Sequence, residues 1–266
     1  MENPIFDLSE PKFSYMFGFM QADGHLSSEE RGRGKMTIEL SERDSHILES
    51  FKEIISVNST LTSRKRDTNF KKNTITCSLI VYDKLFRDTL NFYGIPNGKK
   101  SDKIKPSLYS YSKYDYWRGI IDADGSIGIT NKNKPFISLV TASEELSNAF
   151  SDFIYDMTDF RPNINRNKRD NVFNITITNE KSQKIVSLLY YKDCLSLNRK
   201  KEISKKIIDW VRPENMKSRP QKRLSWNCKE KEFLINNTLE NCLLIFKDRK
   251  KTSIVAMRNG LLKKKK

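Results

Sequence analysis

Two aspartates, Asp23 and Asp124, close two copies of a short apolar segment that lie 101 residues apart. The copies run over residues 15–24 and 116–125 and share Tyr, Gly, Ala, Asp and Gly at equivalent positions. Each copy is long enough for a helix, so each aspartate is expected at a helix C-terminus, where the helix dipole disfavours a carboxylate. A divalent cation would remove that conflict, and carboxylate oxygens suit Mg²⁺. The pair therefore predicts a metal site, provided that the two helices pack together.

Glycines inside and after the copies indicate how such packing would arise. Gly18 and Gly119 would let the two helices approach closely and bring both aspartates to one edge of their interface. Gly24 and Gly125 are expected to end the helices in the left-handed conformation. One Asp-Gly pair alone is typical of a turn that closes a core helix, whereas two copies in a duplicated fold favour the functional interpretation.

The segments that follow each copy support a duplication. Alternating apolar and polar residues predict strands over 36–41 and 74–81 in the first half and over 137–141 and 173–178 in the second. Helical stretches follow these strands, so two tandem α-β-β-α-β-β-α units are predicted over residues 1–105 and 106–211. Each half then reaches a basic step, with Lys100 lying 77 residues after Asp23 and Lys200 lying 76 residues after Asp124.

Composition excludes several classes of protein. The 266 residues include 49 Lys and Arg against 33 Asp and Glu, and the net charge of +16 favours a polyanionic partner, either nucleic acid or a membrane surface. Hydrophobic residues make up 37% of the chain, which excludes wholesale disorder. The four cysteines form no CxxC pair and only two histidines occur, so structural zinc and imidazole-based catalysis are not expected. No apolar run approaches the roughly 18 residues of a membrane helix and no secretory signal is evident, so we expect a cytoplasmic protein of a phage or bacterial host, or an organellar one.

The end of the chain differs from the rest in charge. Residues 212–224 have the character of a linker, and residues 225–266 are predicted to form three short helices and a basic tail. From 213 to 266 there are 15 basic and 5 acidic residues, a net of +10 within the total of +16. Most of the charge that attracts a polyanion therefore lies in this extension.

The repeated segments, above all residues 18–24 and 119–125, resemble the LAGLIDADG motif of homing endonucleases in its single-chain, two-repeat form. The resemblance covers about residues 10–210, and it departs from the family at Gln21, where an acid is usual. It implies an α+β fold with two pseudo-twofold-related αββαββα subdomains, whose curved sheets form a saddle over the major groove of DNA. The helices that contain Gly18 and Gly119 would form the interface between the subdomains.

The family resemblance also implies a reaction, the hydrolysis of one phosphodiester in each strand of double-stranded DNA to leave short 3′ overhangs. The metal ligands would be Asp23 and Asp124 with the carbonyls of Ala22 and Ala123, and the expected metal is Mg²⁺, for which Mn²⁺ or Ca²⁺ can substitute in binding. Lys100 and Lys200 would act beside the metals by their repeat position, with Lys99 and Arg199 as alternatives. A monomer and a long target, pseudo-palindromic or asymmetric, are expected.

Basic residues in three places are the predicted DNA contacts. In the first half they are Arg64, Lys65, Arg66, Lys71 and Lys72, and in the second half Arg166, Lys168 and Arg169. The C-terminal region resembles small Myb-like or helix-turn-helix modules, in which Arg249, Lys250, Lys251 and Arg258 would contact phosphates or bases. A plain basic helical tail that holds DNA without sequence preference is the alternative for this region.

A second class of function stays open from the sequence. A nucleic-acid-binding protein that keeps this fold without cutting, such as an intron maturase or a transcription regulator, would have the same basic surface. Retention of both Asp23 and Asp124 favours the endonuclease, although it does not exclude a maturase that also cuts. An intein is not favoured, because the chain has no leading Cys or Ser and no terminal His-Asn pair.

Overall fold

The computed structural model describes residues 4–27, 33–66, 73–214, 216, 226, 228–247, 249 and 251–263. It consists of two compact units, Met1–Arg212 and Pro213–Lys266. The two predicted subdomains, residues 1–105 and 106–211, both lie in the large unit and share one hydrophobic core. Most of the predicted linker, residues 217–224, lies outside the described residues.

The large unit contains the same order of elements twice, and the second repeat ends with one additional helix. The first repeat has α1 (Pro11–Asp23), β1 (His25–Leu26), β2 (Met36–Ser41), α2 (Ser45–Ile54), β3 (Ser59–Arg66), β4 (Thr74–Val81) and α3 (Lys84–Tyr93). The second has α4 (Lys113–Ala123), β5 (Gly125–Ile129), β6 (Pro135–Thr141), α5 (Glu144–Thr158), β7 (Ile164–Asn167), β8 (Val172–Thr178), α6 (Glu180–Leu189) and α7 (Asn198–Ile208). This architecture confirms the predicted α+β class and the duplication.

Each repeat forms one four-stranded antiparallel sheet. The strand order is β1-β2-β4-β3 in the first sheet and β5-β6-β8-β7 in the second, so the two sheets have the same topology. In β2 the buried residues Met36 and Ile38 alternate with Thr37 and Glu39, as the period-two pattern predicts for a strand with one buried face. One face of each sheet therefore packs on helices, and the other carries the polar side chains.

The central helices α1 and α4 lie inside this core. Eight consecutive residues of α1, from Ser14 to Gln21, are buried, and so are eight consecutive residues of α4, from Asp115 to Asp122. A helix that is buried all around must be covered on every side, which explains why these segments lack the amphipathic pattern of a surface helix. Aromatic residues supply much of the packing, with Phe17, Phe19 and Trp117 fully buried.

The small unit contains three helices, α8 (Cys228–Asn236), α9 (Leu239–Ile245) and α10 (Lys251–Lys263). They surround a small core of Trp226, Leu234, Cys242, Phe246 and Ile254. The Thr238 side chain caps α9 by accepting a hydrogen bond from the backbone N–H of Asn241 at 3.3 Å. Three short helices are thus present where the sequence predicted them, and the relation to Myb-like or helix-turn-helix modules stays a prediction.

No helix among the described residues combines the length and apolar character that crossing a membrane requires.

Candidate active site at the ends of the paired helices

The two central helices meet at Gly18 of α1 and Gly119 of α4. A methyl group at Gly18 would lie 2.4 Å from the carbonyl oxygen of Tyr116, and one at Gly119 would lie 2.3 Å from the carbonyl oxygen of Tyr15. Both distances are far inside van der Waals contact with backbone atoms that have little room to move. Only glycine permits this approach, which brings the C-terminal ends of both helices together.

Hydrogen bonds between equivalent positions reinforce the contact. The Tyr15 hydroxyl donates to Oδ2 of Asp122 at 2.7 Å, and the Tyr116 hydroxyl donates to Oε1 of Gln21 at 2.5 Å. Gln21 also donates from Nε2 to the carbonyl of Lys105 at 2.8 Å. The departure from an acid at Gln21 therefore leaves the reciprocal hydrogen bond intact, because an amide oxygen accepts it as a carboxylate does.

Asp122 is a structural carboxylate. Besides the bond from Tyr15, it accepts a hydrogen bond from the Tyr190 hydroxyl at 2.6 Å and one from the backbone N–H of Leu197 at 2.8 Å. Burial raises its pKa, while Lys200 and these hydrogen bonds oppose the rise. The side chain thus ties α4 to α1 and to the segment that leads into α7.

The expected left-handed helix ends are wrong. Gly24 has φ −73° and ψ 157°, which is extended backbone, and Gly125 begins strand β5. Crowding is the physical reason for glycine at both places. A methyl group at Gly24 would lie 2.5 Å from the carbonyl oxygen of Met20, and one at Gly125 would lie 2.8 Å from Cα of Ile121.

Asp23 and Asp124 lie side by side at the ends of these helices. Burial raises the pKa of Asp23 to about 6, the charge of Asp124 adds to the rise, and Lys100, Lys200 and Arg199 oppose it. Burial likewise raises the pKa of Asp124, against Lys100 and Lys200. Each residue keeps an exposed surface, so both carboxylates are accessible to a ligand.

Lys100 approaches these two carboxylates from the first repeat. The side chain is only 7% exposed, and its ammonium group donates to the carbonyls of Gln21 and of Ala22, the latter at 2.6 Å. Burial lowers its pKa to about 8, and the charges of Asp124 and Asp23 oppose that fall. A cation at the C-terminal end of α1 offsets the helix dipole beside Asp23.

Lys200, the first-turn residue of α7, has the equivalent place at the end of α4. Its ammonium group donates to the carbonyls of Ile121 at 2.5 Å, Asp122 at 2.8 Å and Gly125 at 2.8 Å. Burial lowers its pKa to about 8 as well. Three carbonyls occupy all three donors of Lys200, whereas Lys100 makes two such bonds, so the two halves of the site are not identical.

The donor set fits a hard divalent cation. Within the described residues no three His, Cys, Asp or Glu side chains are grouped to hold a metal, so a cation would depend on Asp23 and Asp124. Oxygen atoms from the Ala22 and Ala123 carbonyls, together with water, would complete its shell. Carboxylate, carbonyl and water oxygens are the ligands that Mg²⁺ and Ca²⁺ prefer, and a cation would relieve the repulsion that raises the pKa of Asp23.

A link between the repeats beside this site was missed from the sequence. Nε of Arg199 lies 3.1 Å from both carboxylate oxygens of Asp44, which is 6% exposed at the end of a 3₁₀ turn after β2. The neighbouring His46 accepts a hydrogen bond at Nε2 from the backbone N–H of Asn198 at 3.2 Å. No repeat or spacing in the sequence predicts these pairs, because their members are more than 150 residues apart.

The predicted DNA contacts of the first half fall on different faces of its sheet. Arg64 is opposite Thr76 in the register and shares the polar face, where Nη2 lies 2.6 Å from Glu39 Oε2. Lys65, opposite Ile75, lies on the face that packs on helices. Arg66 is the last residue of β3 and its side chain is not described, while Lys71 and Lys72 lie outside the described residues.

In the second half, Arg166 shares the helix-packed face with its register partner Phe173 and lies over that ring at 5.5 Å. Lys168 and Arg169 lie in the exposed turn between β7 and β8, where Arg169 pairs with Asp170 at 2.9 Å. The polar face of the second sheet therefore receives none of these cations.

The C-terminal residues also differ in availability. Arg249 has a side chain that is 6% exposed, pairs with Glu230 at 2.7 Å and lies 3.8 Å over the Trp226 ring, so it holds the small core together rather than facing a ligand. Arg258 donates to the carbonyl of Asn237 from Nη2 at 3.0 Å. Lys251 is exposed at the start of α10, and Lys250 lies outside the described residues.

Comparisons with known proteins agree with this geometry. A family model described as a LAGLIDADG-like domain matches residues 113–187, which run from α4 into α6. No curated protein matches the sequence. The second repeat is thus similar in sequence to a LAGLIDADG-like domain.

Solved structures extend the likeness to both repeats. The homing endonuclease I-WcaI bound to its DNA recognition sequence is 17% identical, with a TM-score of 0.52 over 75% of this chain and 88% of that chain. The I-SmaMI LAGLIDADG homing endonuclease bound to cleaved DNA is 13% identical, with a TM-score of 0.50 over 75% of this chain and 89% of that chain. The chain therefore has the fold of single-chain, two-repeat LAGLIDADG homing endonucleases, which confirms the resemblance read from its repeated segments.

Proposed function

We propose that this chain is a sequence-specific double-strand DNA endonuclease that uses divalent metal ions, Mg²⁺ above all. The observation that carries the proposal is the meeting of Asp23 and Asp124 at the ends of the paired helices, with Lys100 and Lys200 beside them. A purely structural helix pair would have no reason to place two carboxylates so close that the charge of Asp124 raises the pKa of Asp23. A phosphodiester and its metal ions are the partners that use such a cluster.

The aspartates and lysines of the site have separate roles in the proposed reaction. Asp23 and Asp124 would hold the metals, with the carbonyls of Ala22 and Ala123 as further ligands. Bound divalent cations supply a Lewis acid that activates water and stabilises the leaving 3′-oxygen. Lys100 and Lys200, which are largely protonated at neutral pH because their pKa values are about 8, place positive charge where the scissile phosphate gains negative charge. One phosphodiester in each strand would be hydrolysed, leaving short 3′ overhangs and 5′-phosphates.

The partner is double-stranded DNA. The net charge of +16 favours a polyanion, and the polar faces of the two sheets offer short hydroxyl and amide side chains of the kind that read base edges. I-WcaI bound to its recognition sequence and I-SmaMI bound to cleaved DNA have the same fold. Both halves of the site lie in one chain, so a monomer suffices to cut both strands.

The small unit would lengthen the contact with DNA. Its exposed basic residues, Lys251 among them, would bind phosphates from a helical module of the Myb-like or helix-turn-helix kind or from a plain basic helical tail. Binding through many phosphates falls steeply with salt. A chain truncated after residue 212 should therefore bind more weakly and show a flatter dependence of affinity on salt.

The test is incubation of the full chain with a randomised duplex library and Mg²⁺, followed by sequencing of the cut ends. One long target with short 3′ overhangs is expected, and Asp23→Asn or Asp124→Asn should abolish cutting while DNA binding persists. Asp88→Asn, at an exposed position on α3, is the matched control and should cut normally. Binding without cutting, in Mg²⁺ and Mn²⁺ alike, would overturn the proposal in favour of a maturase or regulator, and full cutting by Asp23→Asn would remove that residue from the site.

A further inference from the structure

The polar faces of the two sheets differ in chemistry. In the first sheet the register aligns Ser41, Thr76 and Arg64 across β2, β4 and β3, a set that we call the arginine row. In the second sheet Val140, Asn174 and Asn165 align across β6, β8 and β7, and we call them the asparagine row. Because the strand orders correspond, the two rows cross the corresponding three strands of their sheets.

The arginine row is equipped to recognise guanine. Arg64 is 59% exposed, and its contact with Glu39 at 2.6 Å holds one edge of the guanidinium group and leaves the other edge to a ligand. An exposed ion pair of this kind contributes little to stability, so its value lies in orienting the side chain. The neighbouring Thr76 has a buried hydroxyl oxygen that makes no hydrogen bond within the described residues. The open edge of Arg64 indicates a face that is completed by a partner with hydrogen-bonding edges, whereas the Thr76 hydroxyl oxygen is too deeply buried for a partner to reach.

The asparagine row has no charge. None of the described side chains on the polar face of β5–β8 is ionisable, and Arg166 lies on the opposite face. Asn174 Oδ1 accepts a hydrogen bond from the Thr176 hydroxyl at 3.0 Å, which fixes the amide and leaves its N–H₂ group to donate. Its partner Asn165 is exposed, and Val140 on the other side is 42% exposed, an apolar surface beside two amides.

We infer that Arg64 reads a G·C pair under the first sheet and that Asn174 and Asn165 read an A·T pair under the second. The major-groove edge of guanine offers two acceptors that match a guanidinium fork, and adenine offers an acceptor and a donor that match an amide. Val140 would contact the methyl group of the paired thymine. The inference rests on the proposed function, since it presumes that these faces meet the major groove.

The experiment is a binding selection with the full chain, in which bound duplexes from a randomised library are sequenced, with cleavage of the same pool measured in parallel. Arg64→Ala should reduce the preference for guanine at one target position by about 5- to 150-fold in relative affinity. Asn174→Ala should reduce the preference for adenine at one position on the other side of the target centre by a similar factor. Arg64→Gln should move the first preference from guanine towards adenine.

Matched controls are Arg161→Gln, which removes an exposed, ion-paired arginine on the helix side, and Asn148→Ala on α5; neither should change the preferred base at any single position. The inference would be overturned if the guanine preference survived Arg64→Ala, or if the half of the target that Asn174→Ala affects showed no A·T preference. Neither result would contradict the proposed endonuclease activity. If the chain bound a specific sequence without cutting it, the proposed endonuclease activity would be overturned, and the effects of Arg64→Ala and Asn174→Ala on binding would still decide the base assignments. If the unmodified chain bound DNA with no sequence preference, both the base assignments and the proposed sequence specificity would be overturned.

Discussion

The hydroxyl of Tyr15 in the first repeat donates a hydrogen bond over 2.7 Å to the buried carboxylate of Asp122 in the second. The two residues are 107 positions apart in sequence and join the paired helices one turn away from the candidate active site. Tyr116 makes the reciprocal bond to Gln21, so the same connection exists with a charged acceptor on one side and a neutral acceptor on the other.

This difference in charge leads to a first prediction. Tyr15→Phe should lower the free energy of unfolding by about 1.5–3 kcal/mol, because hydrogen bonds to charged groups are the stronger ones. Tyr116→Phe should cost less, about 0.5–1.5 kcal/mol, because Gln21 is neutral and its amide still donates to Lys105. Urea unfolding of both variants would measure the two values, and an equal loss in both would contradict the assigned role of charge.

A second prediction concerns the closest contact of the paired helices. Gly119→Ala should destabilise the large unit by more than about 3 kcal/mol or prevent its folding, since the new methyl group would lie 2.3 Å from the Tyr15 carbonyl oxygen. Gly260→Ala in α10 is the control, because nothing lies within 4 Å of its methyl position. That change should instead favour its helix by about 0.5–1 kcal/mol. Thermal unfolding would separate the two, and a harmless Gly119→Ala would show that the helices can move apart.

The raised pKa of Asp23 gives a third prediction, on stability in metal-free buffer. The pKa rises from the ordinary 3.8 to about 6 in the folded protein, so the folded state holds this proton more tightly than the unfolded state. The stability that results is fully present below about pH 4 and is lost as the pH rises through about 6. Asp23→Asn should therefore be more stable than the unmodified chain at pH 7, by on the order of 1 kcal/mol.

Unfolding free energies at several pH values between 4 and 7, with EDTA present, would reveal this effect. Mg²⁺ should narrow the gap at pH 7, because a cation that binds only the folded protein stabilises it. Asp88→Asn should match the unmodified chain at every pH and gain the same stability from Mg²⁺. A gap that is constant with pH would mean that Asp23 does not titrate in this range.

A fourth prediction separates structural from DNA-binding cations in the small unit. Arg249→Ala removes the contacts with Glu230 and the Trp226 ring and should unfold or loosen this unit, with a change in tryptophan fluorescence. Lys251→Ala should leave the fluorescence unchanged and weaken DNA binding slightly, with a reduction of the salt slope by about one. If Arg249→Ala weakened DNA binding alone, the assignment of that arginine to the core would be wrong.

Local patterns predicted most of the architecture. Strands β2, β4, β6 and β8 could be predicted because burial of one sheet face imposes a period of two, which the residues around Ile38 and Ile175 follow. The repeat at an offset of 101 residues predicted that α1 and α4 are equivalent, and the glycines at 18 and 119 indicated a close contact. The expected helix ends at Gly24 and Gly125 were wrong because crowding by backbone atoms of Met20 and Ile121, rather than backbone handedness, requires glycine there.

Charge patterns predicted less about individual contacts. Successive side chains of a strand point to opposite faces of the sheet. Within residues 64–66, Arg64 therefore lies on the polar face and Lys65 on the other face. Arg249 looked like a DNA contact by charge alone, yet it lies against Trp226 inside the small core. Such assignments depend on which surface a strand or helix presents to its neighbours.

By itself the sequence determined the duplication, the α+β class, the identity of Asp23 and Asp124 as the carboxylates to consider, and the concentration of positive charge near the end. Those properties follow from periodicity, repetition and composition, which can be read from the sequence without knowing how its elements pack. The tertiary structure decided that Lys100 and Lys200 donate to helix-end carbonyls, that Asp44 holds Arg199 across the repeats, and that the two sheet faces differ in charge. These relationships join residues from separate elements, often across the repeats, and only the packing of the elements brings them within hydrogen-bonding distance.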